Sequence, residues 1–340
     1  MLVVMDENSA SEQRAAVEEE LEKLGYKSNS IRFNGHYFHK LKNSEQSEEI
    51  RQITKLPGVI GAIKEQESSR LAYREAHPED TVVTVGEARF GDGNLAVIAG
   101  PCAVESKEQT LRIAEQVKEA GAQVLRGGAY KPRTSPYSFQ GLGERGLEIL
   151  AEVREETGLP VVTEALDPMS ASTVAEYSDM IQIGARNMQN FSLLEAVGGL
   201  GKPVLLKRGL SANLTELLAA AEYLMANGCS DVVVCERGIR TFSDHSRNTI
   251  DLGLIPVFKQ VSHLPIIVDP SHASGIKESV LPLSYAALGV GADGIMVDVH
   301  HAPGDAMVDG DQAILPDEFV TMMNQLRATA GSLGKTAGAA

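Results

Sequence analysis

Short apolar runs of four to six residues alternate with longer stretches of helical spacing over most of the chain. The runs fall at 95–99, 124–127, 161–164, 180–184, 204–207, 232–235, 266–269 and 294–299. Between them, apolar side chains recur at helical intervals, as at Leu111, Ala114, Val117 and the stem of Lys118, or at Leu214, Leu217, Leu218 and Ala221. Near-continuous apolar strands separated by helices predict a parallel sheet buried on both faces. Eight such repeats predict closure into a (β/α)₈ barrel. An open doubly wound sheet would need a glycine-rich phosphate turn after its first strand, and Gly100-Pro101-Cys102 is not one.

The pattern upstream is different. An apolar strand at 2–5 precedes a helix that Ser9 or Ser11 can cap, with Val17, Leu21 and Leu24 on one face and Gly25 as its stop. Asn34-Gly35 between two β-rich triplets predicts a two-residue hairpin, because both residues tolerate positive φ. A second helix at 47–56, broken by Pro57-Gly58, and a closing strand at 59–63 complete a βαββαβ order, which suits a small α+β ferredoxin-like domain. The expected organisation is therefore a ferredoxin-like module over 1–66 and a polar linker over 67–94, with a small hairpin marked by alternation at 81–85. The barrel follows over 95–327, and a small-residue, glycine-rich tail over 328–340 is expected to fray.

Composition changes this picture little. The 340 residues are 43% hydrophobic, enough for a full core, and no apolar run reaches the roughly 18 residues of a membrane span. The N-terminus lacks the basic flank of a signal peptide. Three cysteines, Cys102, Cys229 and Cys235, fit a reducing, cytoplasmic setting better than a disulfide framework. A net charge of -15 disfavours nucleic acid or an anionic membrane as partner. It does not disfavour a small anionic substrate, since a pocket's field depends on local charge.

The candidate chemistry lies where the strands end, which in a barrel is one mouth. Cys102 follows the first strand, Arg126 ends the second, and Lys131, Arg133 and Thr134 follow it. Glu164, Arg186, and then Lys207 with Arg208 close the third, fourth and fifth. Glu236, Arg237 and Arg240, then Asp269 and His272, then Asp298, His300 and Asp309, follow the last three. Any one of them reads equally as a core thiol, a solvated histidine or a surface charge; what argues for function is that every strand ends this way. A thiol, an imidazole and two carboxylates at Cys102, His272, Asp298 and Asp309 suit a borderline divalent metal. Arg126, Lys131, Arg133, Arg186, Lys207 and Arg237 suit phosphates and a carboxylate.

Six strings carry a family resemblance: Ile-Ala-Gly-Pro-Cys-Ala-Val-Glu (98–105), Leu-Arg-Gly-Gly-Ala-Tyr-Lys-Pro-Arg-Thr-Ser-Pro-Tyr-Ser-Phe-Gln-Gly (125–141), Ile-Gly-Ala-Arg-Asn-Met-Gln-Asn (183–190), Leu-Lys-Arg-Gly (206–209), Cys-Glu-Arg-Gly-Ile-Arg-Thr-Phe (235–242) and Asp-Pro-Ser-His-Ala-Ser-Gly (269–275). Together they cover the barrel, and it resembles the 3-deoxy-D-arabino-heptulosonate 7-phosphate (DAHP) synthases. The N-terminal module resembles the regulatory domain of one subgroup, the type I beta enzymes. The resemblance implies condensation of phosphoenolpyruvate with erythrose 4-phosphate and water, the first step of the shikimate pathway. It implies one divalent metal (Mn, Fe, Co, Zn or similar) on Cys102, His272, Asp298 and Asp309, and phosphoenolpyruvate on Arg126, Lys131, Arg186, Lys207 and Arg237, with Ala185 beside Arg186. Glu164 is implied near the reacting end of phosphoenolpyruvate, and erythrose 4-phosphate on Lys131, Pro132, Arg133 and Thr134, with Asp269 near its hydroxyls. Lys131, Glu164 and His272 are the implied proton-handling residues, with Cys102 beside them. A homotetramer inhibited by tyrosine or phenylalanine is also implied.

Three other readings stand beside it. The octulosonate synthases, which use arabinose 5-phosphate, share Gly-Pro-Cys but carry a Lys-Ala-Asn-Arg-Ser type of loop where this chain has Lys-Pro-Arg-Thr. A metal-free aldolase could form a Schiff base at Lys207. A non-catalytic binding barrel is encouraged only by Asp298, where the family pattern has Glu; the shorter side chain falls back by about 1.5 Å, one C–C bond.

Overall fold

The protein is described here by a computed structural model covering residues 2–33, 36–41, 52–63, 71–133 and 135–339. It divides into two compact units, Met1–Leu71 and Ala72–Ala340.

In the first unit, β1 (Leu2–Met5) precedes α1 (Ser11–Lys23), followed by β2 (Ser28–Phe33), β3 (His36–Leu41) and β4 (Val59–Ile63). The sheet order is β2-β3-β1-β4 with antiparallel pairs, the order a βαββαβ connection produces. Val17 and Leu21 of α1 pack with Val3, Met5, Leu41 and Ile53. Phe33 pairs with His36 across the hairpin, whose Asn34-Gly35 turn lies outside the described residues. So does the first half, 47–51, of the helix expected over 47–56.

The second unit is a closed barrel of eight parallel strands: β7 (Ala96–Gly100), β8 (Val124–Arg126), β9 (Val161–Ala165), β10 (Met180–Ile183), β11 (Val204–Lys207), β12 (Val232–Glu236), β13 (Ile266–Val268) and β14 (Gly294–Asp298), with β14 pairing back onto β7. Each expected run holds a strand, within one or two residues at either end. The helix after β7, α2 (Lys107–Ala120), starts where Ser106 accepts a hydrogen bond from Gln109 N and stops at Gly121, which adopts φ 104. Its buried face is Ile113, Ala114, Val117 and Ala120. Lys118, assigned to that face from spacing, is solvent-exposed and donates to Thr157 O.

Strand parity orders the interior. Val124, Val162, Met180, Leu205, Cys235, Ile267 and Met296 share one buried cluster inside the barrel. Two residues further along six of the strands stand Arg126, Glu164, Gln182, Lys207, Arg237 and Asp298. With a period of two, the same strand faces that fill the core below deliver these polar groups to the mouth above.

Two parts of the second unit differ from expectation. The segment read as a linker with a small hairpin does hold one, β5 (Val83–Val85) against β6 (Ala88–Phe90), but it is no mere linker. Its Val83, Val85, Ala88 and Phe90 join the barrel's interior cluster, so the hairpin belongs to the core. The tail expected to fray is tied down. Helix α3 (Pro316–Ser332) runs well into it, Leu95 N donates to Thr336 O, Gly338 N to Leu95 O and Ala339 N to Gly121 O. Small residues fit this path because a Cβ on Gly338 would stand 2.5 Å from Gly121 O. Among the described residues no helix is long and apolar enough to cross a membrane.

Candidate functional site

At the carboxyl ends of the barrel strands lies a cavity of about 460 Å³, within the roughly 300–1,000 Å³ of small-molecule sites. Eight lining side chains are cationic: Arg126, Lys131, Arg133, Arg186, Lys207, Arg237, Arg240 and Arg247. Two, Glu164 and Asp309, are carboxylates. In a chain of net charge -15 this reversal of sign is local, and it draws small anions. Pro132, Ala185 and His272 also line the cavity; Thr134 lies outside the described residues. Burial lowers the affinity of the Arg237 guanidinium for its proton, and nearby Arg247 and Arg186 add to this, while Asp269 opposes it.

Beside the cavity, three side chains from separate loops converge. Cys102 Sγ is 3.7 Å from His272 Nε2 and 3.1 Å from Asp309 Oδ2, and the last two atoms are 3.8 Å apart. A thiolate, an imidazole and a carboxylate around one ion at about 2.0–2.3 Å stand some 3–4 Å apart, so the triangle has the dimensions of a ligand face. Asp298 also lies within ligand reach, its oxygen, Cys102 Sγ and a His272 nitrogen all within 4.8 Å of one another. Both its oxygens have other partners: Arg126 Nη1 donates to Oδ1 at 2.7 Å and Gln312 Nε2 to Oδ2 at 2.5 Å. The donor set fits a divalent metal, with Cys102, His272 and Asp309 facing one another and Asp298 set back on Arg126.

The electrostatics match this chemistry. Burial pushes the Cys102 thiol up, but Lys131 and Arg126 outweigh it, and its pKa falls below the ordinary value. Lys131 Nζ stands 3.0 Å from the sulfur and 2.9 Å from the Cys102 carbonyl oxygen. The other cysteines behave oppositely: burial pushes Cys229 up to about 12 and raises Cys235 further still. Burial works against the His272 imidazolium, yet Asp269 and Asp298 hold its proton and raise its pKa. His272 Nδ1 lies 3.0 Å from Asp269 Oδ2, which turns Nε2 toward Cys102 and Asp309. Burial opposes ionisation of Asp309, but His272 and Arg247 keep it well below the usual carboxylate range.

Asp269, expected near substrate hydroxyls, is placed elsewhere. It is fully buried behind the cavity, accepting from Lys207 Nζ at 2.6 Å and from His272 N at 2.9 Å. With no exposed surface and both oxygens engaged, it orients the lysine and the histidine. Arg208 and Glu236 also leave the mouth: they pair at 2.8 Å on the outward face, and Glu236 Oε1 accepts from Gly238 N at 2.7 Å. Three contributors escaped the sequence reading. Gln182 donates to Glu164 Oε2 at 2.9 Å and was findable, since it stands two residues after inward Met180. Gln312 and Arg247, which hold Asp298 and Asp309, sit in irregular segments with no local pattern to mark them.

Comparison with known proteins gives the family and the fold. The DAHP synthetase I family matches over residues 73–333. A phospho-2-dehydro-3-deoxyheptonate aldolase of Thermotoga maritima is 51% identical over 265 residues, which are 78% of this chain and 78% of that protein. A 2-dehydro-3-deoxyphosphooctonate aldolase of Bradyrhizobium sp. is 32% identical, over 73% of this chain and 92% of its own length. The crystal structure of a Thermotoga maritima DAHP synthase superposes with a TM-score of 0.79 at 42% identity, covering 99% of each chain.

Proposed function

The chain belongs to the DAHP synthetase I family, and on that footing we propose that its barrel mouth condenses phosphoenolpyruvate with erythrose 4-phosphate and water to give DAHP and phosphate. The observation that carries this is the juxtaposition of the cationic cavity with the Cys102, His272 and Asp309 triangle. Two phosphates and a carboxylate need several fixed cations, and Arg126, Arg186, Lys207 and Arg237 supply them around one space. Holding both substrates in this one space would bring the enol carbon and the aldehyde together, which is where positioning lowers the barrier.

Cys102, His272 and Asp309 would hold the divalent ion, with Asp298 as the remaining donor in reach. Such an ion supplies Lewis-acid polarisation of the aldehyde oxygen. Lys131, held against Cys102, is the group placed to give a proton to that oxygen as it gains charge. Glu164, steadied by Gln182, faces the cavity where water must add and is the candidate to manage that water's proton. Pro132 and Arg133 extend the cavity wall on the side where the aldose phosphate would lie.

A Schiff-base aldolase would need a free amine at Lys207. That amine is instead 2.6 Å from the buried Asp269 carboxylate, an ion pair that favours a fixed charge over a nucleophile.

Phosphate release from both substrates, before and after chelation and metal return, tests the proposal. Activity should require both substrates, vanish with chelator, and return with a divalent metal. Turnover with arabinose 5-phosphate in preference to erythrose 4-phosphate would assign the octulosonate reaction instead, and silence with every metal would assign a binding barrel. The Met1–Leu71 unit is proposed to carry feedback inhibition by tyrosine or phenylalanine in a homotetramer, a reading supported by the resemblance. Deleting that unit should leave turnover and remove inhibition, while sedimentation reads the assembly.

A further inference from the structure

One side chain is shared by the anion cavity and the metal-suited triangle. Arg247 lines the cavity beside Arg237 and Arg240, and its Nη2 lies 2.9 Å from Asp309 Oδ1. Its backbone is fastened to the helical turn that carries His272. Arg247 N donates to Ser274 O and Asn248 N to Ala273 O, both at 2.9 Å, and Asn248 Nδ2 donates to His272 O at 3.0 Å. Gly275 lets the side chain pass, since a Cβ there would stand 2.9 Å from Arg247 Cβ. The guanidinium therefore comes from the connection after β12, is anchored on the turn after β13, and reaches a carboxylate that follows β14.

Asp309 divides its two oxygens between the metal-suited triangle and Arg247. Its Oδ2 faces Cys102 Sγ and His272 Nε2, while its Oδ1 faces Arg247. It is also the one non-glycine residue with positive φ, 56°, among those described, a sparsely used conformation that surrounding contacts must sustain. Arg247 contributes one of those contacts from a side chain that is 41% exposed.

We propose that Arg247 couples the two sites, holding Asp309 when the cavity is empty and turning to the cavity anion when a divalent ion takes that carboxylate. This rests on the metal reading of the preceding section. Two cations on one carboxylate repel one another, so an ion at Oδ2 weakens the guanidinium's hold at Oδ1. The freed guanidinium then offers its fork to a phosphate. Linkage makes the effect reciprocal: an anion that draws Arg247 away tightens the ion by the same factor. A purely structural clamp predicts the opposite sign, because removing it would only loosen Asp309 and weaken the ion.

The test is a cobalt(II) titration of the full-length, metal-stripped protein, read by the thiolate-to-cobalt absorption that Cys102 would supply. It is run with and without inorganic sulfate at matched ionic strength. In the wild type, sulfate should tighten cobalt by about fivefold or more, the lower end of ordinary coupling. Arg247→Met should bind cobalt as tightly or more tightly without sulfate, and its response to sulfate should fall below about twofold. Arg247→Lys, which keeps the charge without the fork, should fall between. Weaker cobalt binding by Arg247→Met without sulfate, or an undiminished sulfate response, overturns the coupling. A wild type with no thiolate band overturns the metal reading itself and the coupling with it.

Discussion

Glu164 points into the space that a side chain at Gly184 would fill: a Cβ built on that glycine falls 2.0 Å from Glu164 Oε1. The glycine lies at an ordinary φ of -70°, so the requirement is for room and not for backbone freedom. Gly184→Ala should fold as the wild type does while pushing the carboxylate off Gln182. With misplacement on the scale of an ångström, kcat should fall about 100-fold. Unchanged far-ultraviolet circular dichroism together with steady-state kinetics checks this, and a kcat within twofold of wild type refutes it.

Lys131 is the largest influence opposing burial at the Cys102 thiol. Its replacement by methionine removes a cation 3.0 Å from the sulfur, and the thiol pKa should rise. In metal-stripped protein, the pH profile of Cys102 alkylation should then move to higher pH, with slower modification near neutrality. Cys229 and Cys235, both raised by burial, provide the slow background. A profile that stays in place would show that Lys131 does not sustain the thiolate.

Phe90 is fully buried in the cluster that includes Ile98, Leu205 and Met296 of the barrel. Phe90→Ala should cost about 3–5 kcal/mol, the price range of a large core truncation, read as a lower denaturant midpoint with unchanged slope. A residue of a mere linker would cost under about 0.5 kcal/mol.

His39 in the first unit is buried, and neither ring nitrogen has a hydrogen-bond partner among the described residues. Burial lowers its pKa below 6.5, with Glu18 opposing weakly. The unfolded chain therefore binds the proton more readily than the folded one. Its contribution to stability is complete above about pH 6.5 and is lost as the pH falls through the lower folded value. Backbone protection factors of β1 and β3 in the full chain, with the slowing of intrinsic exchange at lower pH divided out, should fall between pH 7.5 and pH 5. His39→Leu should remove that loss of protection, and an unaltered loss would place its origin elsewhere.

Much of the fold was legible because burial on both faces leaves a plain mark: eight apolar runs at helix-length intervals became eight strands. The strand-end rule likewise located Arg126, Glu164, Lys207 and Arg237 without any tertiary information. It failed for Arg208 and Glu236, since adjacent residues on a strand face opposite sides and the rule ignored parity. The hairpin at Val83–Phe90 was expected, but its place in the core was not, because six residues in two short strands resemble any polar connection until something covers them. The tail was misread because small residues suggest fraying when taken alone and close docking when a surface is supplied.

By itself, the chain's pattern of apolar runs and terminal polar residues determined a barrel with a cationic, thiol-bearing mouth, because periodicity and burial are local properties of consecutive residues. Only the tertiary structure decided how those groups are paired. Asp269 and Asp298 turn out to brace Lys207, His272 and Arg126, and Arg247 meets Asp309 from 62 positions away. Such pairings depend on distances of a few ångströms between loops of different strands, and no spacing along the chain encodes them.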